Sequence, residues 1–380
     1  MTLTRKKTFA FFLVVLFVLL VMVEIGARVL EKPDSFDTIR MFQHSDSISF
    51  KLADQGDFRH RTGEYDVIYH IEDGLRNPKT DFSAPNGSFR IVLLGDSFFF
   101  GHGVSDQAAL ARRLEAELNQ GRERPRVQVV NASYASGKSP DDNYVFLKNR
   151  ISSLKPDLIL HGFFIYNDVA DVAADVWEAV DEHGLPLRVR SEADNRGHPP
   201  FYLTTPLLSS LASYRYFGKA LYRFGLARPA GLTPQGLERY EHIVKMIYDP
   251  ASTGDRNFQA ELERTIRCCR AMKDLARRSS AEYMVVLIPA LLQIDSDSVE
   301  ARNYLRYYGL DLAGLDLKMP QRLIGAMLDQ NATGYVDLLA ENVLASADYY
   351  HVDGHWNPEG HRKVADRLGR VVETLFLSGR

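Results

Sequence analysis

The chain predicts an α/β fold, a doubly wound parallel sheet with flanking helices, and three observations predict it. Short apolar runs recur at 91–94, 126–130 and 157–164, the pattern of strands buried on both faces. A helical segment follows the first two runs after a short connection, and successive βα units of this kind wind right-handed into a parallel sheet. The three runs lead into Gly95-Asp96-Ser97, Asn131-Ala132-Ser133 and Asn167-Asp168, which places polar groups at the carboxyl edge of the sheet, where open α/β folds keep their sites.

Taken in order, the chain begins with Arg5-Lys6-Lys7 ahead of an unbroken apolar run from Phe9 to Val23. That is a little short of the ~20 residues that cross a bilayer, but Ile25 to Leu30 extend it if Glu24 sits near the interface. No Ala-x-Ala site follows, so residues 1–30 read as an uncleaved signal anchor rather than a cleaved signal peptide. Its basic end would stay in the cytoplasm and the body would be extracytoplasmic, periplasmic in a Gram-negative cell. Residues 31–88 read as an irregular, polar juxtamembrane segment that packs on the main domain, with a strand at Tyr65 to Ile71 and turns at Asp73-Gly74 and Asn77-Pro78. No function is legible there.

The main domain is expected over 89–380. Ile91 to Leu94 forms a strand, and Gln107 to Asn119 forms a helix with Leu110, Leu114 and Leu118 on one stripe. Arg126 to Val130 is the next strand, and Pro140 is suited to the first position of a helix running to about Leu154. Asp157 to Phe164 is the third strand. Between 171 and 257 the pattern loosens into an insertion with Trp177 and an aromatic group, Tyr202, Tyr214, Tyr216, Phe217, Tyr222 and Phe224. It reads either as a substrate-shaping cap over the sheet edge or as aromatic packing. Helical spacing returns at Phe258, Leu262, Ile266, Cys269, Met272 and Ala276, followed by a strand at Tyr283 to Ile288. Arg302 to Asn331 is mostly helical, Tyr335 to Leu338 is a last short strand, and Asp348 to Trp356 is a loop. Asn357 caps a final helix with Pro358 at its first position, running to about Leu377 with Val364, Leu368, Val371 and Leu375 inward.

Bulk composition narrows the function. The 380 residues are 45% hydrophobic and 25% charged, ordinary for a globular protein, and a net charge of −3 leaves no electrostatic footprint for nucleic acid. The two cysteines, Cys268 and Cys269, are neighbours in a helix, so they neither pair as a structural disulfide nor offer metal-type spacing. Asn86, Asn131 and Asn331 begin glycosylation-type triplets, a pattern frequent by chance, and Asn131 reads as a strand end.

Chemistry concentrates where the strands end. Ser97 follows the first strand, Gly137 lies in the loop after the second, Asn167 and Asp168 follow the third, and Asp348, His351, Asp353, His355 and His361 precede or open the last helix. Loops on one edge of a parallel sheet converge. A serine nucleophile needs a base, an acidic group to hold that base's tautomer, and donors for the oxyanion. Backbone N–H groups of Ser97 and Gly137 with the Asn167 amide would supply three donors.

In this arrangement the chain resembles the SGNH (GDSL) hydrolase superfamily. Gly95-Asp96-Ser97, Gly137, Asn167-Asp168 and the stretch from Asp353 to His361 stand for its four blocks, in order. The resemblance implies the three-layer SGNH-hydrolase, flavodoxin-like fold. It implies Ser97 as nucleophile, His355 as base, Asp353 as its orienting acid, and Ser97, Gly137 and Asn167 as oxyanion donors. It also implies an acyl-enzyme on esters with no cofactor and no metal. Family esterases commonly place the Asp three residues before the His, whereas Asp353 stands two before His355. The Asp-x-His-Trp form is similar to the branch with exopolysaccharide O-acetyltransferases and membrane-linked acetyl esterases. Asp348 and His351 have the three-residue spacing and stand as an alternative base pair. His351, Asp353 and His355 could also hold a metal by residue type, though the triad accounts for Asp353 and His355 without one. His361 is read as structural, and Asp96 and Asp168 as holders of loops. The expectation is an esterase acting on a small acyl group, acetyl first, of a carbohydrate or envelope substrate. It would touch the membrane through its helix and possess a link to polysaccharide-modification machinery. An O-acetyltransferase on the same triad, a lipase-like esterase and a silent carbohydrate-binding module are the competing readings.

Overall fold

The computed structural model describes residues 5–30, 41–43, 45–76, 87–121, 126–135, 138–191, 211–214, 216–217 and 234–378. The first helix, α1 (Arg5–Leu30), has 26 residues and a length of about 39 Å at ~1.5 Å per residue. Its window Phe11–Val29 is long and apolar enough to cross a membrane, and only 6% of it is buried against the rest of the chain.

Two short strands, β1 (Phe42–Gln43) and β2 (Lys51–Leu52), pair antiparallel, and β3 (Gln55–Arg61) and β4 (Asp66–Glu72) form a hairpin. The 31–88 segment is therefore not irregular where it is described. The strand expected at Tyr65 to Ile71 is β4, and its partner β3 escapes a reading by apolar periodicity because its inward positions are only Phe58 and His60, with Arg59 between them. These strands pack on the main domain: Met41, Phe50, Leu52, Tyr69 and Leu75 share one buried cluster with Val92, Val130 and Ile159 of the central sheet.

The main domain follows as β5 (Phe89–Leu94), the single-turn α2 (Ser97–Phe100), α3 (Leu110–Asn119), β6 (Val127–Asn131), α4 (Pro140–Leu154), β7 (Leu158–Phe164) and α5 (Asp168–Ala174). A second hairpin, β8 (Asp175–Val180) with β9 (Pro186–Ser191), opens the insertion, which continues into α6 (Pro234–Met246). Then come α7 (Arg256–Arg278), β10 (Glu282–Ile288), α8 (Leu291–Ile294), α9 (Val299–Tyr308), α10 (Met319–Gln330), β11 (Gly334–Asp337) and α11 (Pro358–Val372), which ends in a π-turn at Glu373–Leu377. In the insertion, β9 packs on α4 and α6 packs on α5 and α7. Tyr202, Tyr222 and Phe224 of the expected aromatic group lie outside the described residues, and Tyr216 and Phe217 are exposed.

The five-stranded sheet is parallel throughout, in the order β11-β10-β7-β5-β6. Counted along the chain this is 2-1-3-4-5, the doubly wound order whose direction reverses between β5 and β7. All six β5 residues are buried, because both faces are covered. Ile91 and Leu93 point with Leu158 and Leu160 toward α3 and α11, through Leu110, Leu114, Val364 and Leu368. Val92 and Leu94 point with Ile159 and Phe163 the other way, toward α4, α7 and α10. Each such aliphatic residue withdrawn from water contributes about 1.5–3 kcal/mol, so the strand that leads into Ser97 is firmly held.

Candidate active site

Ser97 opens α2 at the carboxyl end of β5, at the switch point. Gly95 makes the turn, and Gly162 of β7 leaves room for it. A side chain at Gly95, whose φ is +155°, would meet the Gly162 carbonyl oxygen at 3.0 Å, and one at Gly162 would meet the Phe99 ring at 2.7 Å. The backbones of β5 and β7 thus approach closely and the Phe99 ring fills the space over Gly162. Asp96 caps α2, accepting the Phe98 N–H at 3.0 Å. Asn131, the strand-end residue, is buried and donates to the Phe99 and Phe100 carbonyls at 3.2 and 3.1 Å. It is a structural clamp on α2 rather than a modification site.

The last loop brings its side chains to Ser97 from 258 residues away: His355 Nε2 lies 2.8 Å from Ser97 Oγ. On the other side of the ring, His355 Nδ1 lies 2.6 Å from Asp353 Oδ1. A carboxylate only accepts, so Nδ1 carries the proton and Nε2 is the lone pair facing the serine hydroxyl. Burial alone would push the imidazole pKa down. The charge and hydrogen bond of Asp353 outweigh it and, with Asp96 and Glu300, hold it above the ordinary value. Burial likewise opposes ionisation of Asp353, but the charge and hydrogen bond of His355, with the Tyr65 hydroxyl, hold that carboxyl well below the usual range. Phe98 packs on the His355 ring with centroids 4.8 Å apart, and the fully buried Trp356 packs on Phe98 at 5.0 Å. Asn357 caps α11, accepting from Glu359 and Gly360 N–H.

The alternative pair is not brought together. Asp348 is buried and accepts from Ala345 N–H and Lys363 Nζ, both at 2.7 Å, while His351 is exposed. His361 is buried against Trp356, with burial pushing its pKa down to about 3. Asn167, after the end of β7, stands at the N-cap position of α5 without a side-chain bond to the helix N–H groups. Its Nδ2 donates to Asp171 at 2.9 Å, and its Oδ1 is buried without a partner among the described residues. Asp168 accepts the Phe164 N–H at 2.9 Å. Beneath Ser97, burial pushes the Asp96 pKa up to about 7, and burial with the charges of Asp96 and Asp171 pushes Asp168 well above the usual range. Gly137 lies outside the described residues.

Sequence reasoning missed the residues around Asp353. Tyr65, at the tip of the β3–β4 hairpin, places its hydroxyl 2.9 Å from Asp353 Oδ2, and Glu64 accepts the backbone N–H of Val352 and of Asp353 at 3.0 and 2.8 Å. His102, from the loop after α2, lies 3.1 Å from the Tyr65 hydroxyl through Nε2, and its ring sits 4.5 Å from that of His355. That loop is pinned by Arg76, buried, which donates to Asp106 Oδ1 and to the carbonyls of Phe100, Gly101 and Val104. The one sequence signal was the hairpin strand at Tyr65 to Ile71. His102, Asp353 and His355 also offer ligand atoms within 4.8 Å of one another. A cation there would have to compete with the His355 and Tyr65 hydrogen bonds to Asp353, so the set fits a proton-handling site better than a metal centre.

No family model matches the chain, and no curated protein matches it. Solved structures do resemble it. A lipase/acylhydrolase from Enterococcus faecalis is 14% identical, with 75% of this chain and 96% of that chain covered and a TM-score of 0.35. A putative acylhydrolase from Bacteroides fragilis is 11% identical, with 78% and 90% covered and a TM-score of 0.38. A variant of Axe2, an acetyl-xylooligosaccharide esterase from a Geobacillus, is 15% identical, with 76% and 96% covered and a TM-score of 0.36. Likeness at these values bears on neither substrate nor mechanism, which rest on the site itself.

Proposed function

We propose that this chain is a membrane-anchored, extracytoplasmic serine esterase that removes a small acyl group, acetyl first, from a carbohydrate or cell-envelope substrate. One observation carries the reading: the directional chain from Ser97 Oγ to His355 Nε2 at 2.8 Å and from His355 Nδ1 to Asp353 Oδ1 at 2.6 Å, set at the switch point of the sheet. Ser97 Oγ attacks the ester carbonyl carbon as His355 Nε2 takes the hydroxyl proton. The tetrahedral oxyanion collapses, the C–O bond to the alcohol breaks, and His355 returns the proton to the leaving oxygen. Water, deprotonated by the same nitrogen, then attacks the acyl carbon, the C–Oγ bond breaks, and His355 returns the proton to Ser97 Oγ as the acid leaves. Asp353 stabilises the imidazolium formed in both steps without taking its proton.

The Ser97 N–H heads α2, where a first-turn donor has no intrahelical acceptor, and it is the first oxyanion donor. Gly137 N–H and Asn167 Nδ2 complete the set by the sequence resemblance. The apolar run of α1 and the basic Arg5-Lys6-Lys7 at its start support an anchor with the body outside the cytoplasm. The Asp353-Gly354-His355-Trp356 stretch favours one other reading on the same acyl-enzyme, transfer of the acetyl group to a sugar hydroxyl instead of water.

The test is hydrolysis of p-nitrophenyl acetate and longer-chain esters by the full chain in detergent, beside Ser97→Ala, His355→Ala and His351→Ala, with and without chelator. Loss in the first two variants, with His351→Ala and the chelated enzyme active, is expected. A preference for acetyl over long chains separates this reading from a lipase, and product analysis with a polysaccharide acceptor separates hydrolysis from transfer. An inactive wild type, or an active Ser97→Ala, would overturn the assignment.

A further inference from the structure

The reading above leaves unexplained why Asp353 Oδ2, the carboxylate oxygen turned away from His355, is met by a buried tyrosine from a segment remote in sequence. Tyr65 is 8% exposed and its hydroxyl is 2.9 Å from Oδ2. Since a carboxylate only accepts, Tyr65 gives its one proton to Asp353, and its oxygen is left to accept. His102 Nε2, 3.1 Å from that oxygen, must therefore be the protonated nitrogen of its ring. Burial, reinforced by the nearby His355, pushes the His102 pKa well below the ordinary value, so this ring stays neutral beside the imidazolium that forms on His355.

We infer that Tyr65 and His102 are positioning residues of the triad, making one directional hydrogen-bond chain that runs His102, Tyr65, Asp353, His355, Ser97. The inference rests on the esterase reading of Ser97. The hairpin is built to deliver this contact. Thr62 Oγ1 accepts the N–H of Glu64 and of Tyr65, closing the tip, and Glu64 grips the backbone of Val352 and Asp353 on the same loop. Behind the tip, the Tyr69 hydroxyl accepts the Gly103 N–H at 2.9 Å, and Tyr350 donates to the Gly103 carbonyl at 2.8 Å, fixing the loop that carries His102. The 41–76 segment is thus part of the active site and not a spacer between membrane and enzyme.

The consequence for chemistry has a definite sign. Tyr65 draws negative charge onto Oδ2 and restrains the pull of Oδ1 on the His355 proton. Without it Asp353 becomes the stronger base and the His355 pKa rises. The other groups facing Asp353 and His355 are Glu64 of the hairpin tip, Tyr350 of the same loop, His102 of the loop after α2, Asp96 and Glu300 beside His355, and Tyr69, His60 and Arg76 behind them; of these only His102 loses a hydrogen-bond partner with the Tyr65 hydroxyl, and its own two variants read that loss separately.

The experiment is the pH dependence of kcat and KM for p-nitrophenyl acetate with the full chain in detergent. It compares wild type with Tyr65→Phe, His102→Gln and His102→Phe, with Ser97→Ala as the control on the underlying reading. Tyr65→Phe keeps the ring that packs on Tyr350 and His60. Losing a hydrogen bond to a charged group is expected to lower its kcat about tenfold, with KM unchanged and the acid limb of the profile displaced upward. His102→Gln, which keeps a donor toward Tyr65, is expected to stay closer to wild type than His102→Phe. Wild-type kcat and acid limb in Tyr65→Phe would overturn the inference, and so would an activity loss that follows a fall in Tm with the acid limb unmoved. If Tyr65→Phe does not fold, equal kcat in His102→Gln and His102→Phe overturns it. An active Ser97→Ala would instead sink the esterase reading itself.

Discussion

Replacing Asp353 by Asn keeps the shape of the side chain and removes its charge, so it isolates what the carboxylate does. In the transition state the imidazolium and the carboxylate would stand about 4 Å apart between charge centres, an attraction of about 4 kcal/mol at an effective dielectric of about 20. Losing it predicts a fall in kcat of about 10³-fold. An amide can also turn its NH₂ toward His355 Nδ1 and reverse the tautomer, which adds to the loss, and Asp-to-Asn changes in serine triads reach about 10⁴-fold. The pH profile moves as well. Activity requires neutral His355, and in the wild type the Asp353 charge holds its pKa above the ordinary value against burial, so the acid limb of kcat/KM belongs above pH ~6.5. With the charge gone, burial acts with less opposition and the limb shifts to lower pH. The assay is kcat/KM for p-nitrophenyl acetate from pH 5 to 9 in wild type and Asp353→Asn, with spontaneous hydrolysis subtracted. A variant within about tenfold of wild type, or an acid limb that does not move down, would refute this account of Asp353.

Two further substitutions probe the frame around the site. Burial and the charges of Asp96 and Asp171 raise the Asp168 pKa in the folded state, so its folded pKa lies above its unfolded one and its contribution to stability is lost as pH rises. Asp168→Asn does not titrate, so its Tm relative to wild type should be higher at pH 8 than at pH 5; a difference independent of pH counts against a protonated Asp168. Arg76→Met removes the donor to Asp106 and to three loop carbonyls. Leaving buried partners unpaired costs about 3–5 kcal/mol, to be read by differential scanning calorimetry as a Tm lower by roughly 10 °C, and an unchanged Tm would show the staple to be dispensable.

What was legible in the sequence follows from how far each interaction reaches along the chain. β5, β7 and β10 are buried on both faces, so their apolar runs announce them, and Ser97 and the 353–361 stretch sit in blocks whose members are neighbours in sequence. The 31–88 segment gave a weaker signal, the strand expected at Tyr65 to Ile71, which the structure has as β4 (Asp66–Glu72). The partner strand β3 buries only Phe58 and His60 between charged residues, a pattern that local periodicity registers as polar loop. Tyr65 and Glu64 act on a loop 288 residues ahead, and His102 matters only through Tyr65 and the face of His355. Each of these residues has an ordinary local reading as a turn or cap, and only tertiary placement gives it another.

The two-residue spacing of Asp353 and His355 has a physical account in the same loop. In an extended strand, residues two apart share a face but stand about 6.5–7 Å apart along it, too far for a short hydrogen bond between their side chains. Gly354 removes that obstacle. It takes φ +80°, a left-handed conformation that costs glycine little, and the chain turns so that Asp353 Oδ1 reaches His355 Nδ1 at 2.6 Å and faces the His355 backbone N–H at 3.4 Å. The backbone bonds of the loop itself run from Tyr350 N–H to the His355 carbonyl and from Gly354 N–H to the Tyr350 carbonyl, while the Asp353 N–H and Oδ2 take their partners from another element. The hairpin tip supplies them from outside, Glu64 on the backbone N–H groups and Tyr65 on the free carboxylate oxygen. The short spacing and the N-terminal hairpin are therefore one design: a compact acid–base pair whose orientation is fixed by a segment that local sequence patterns leave without a role.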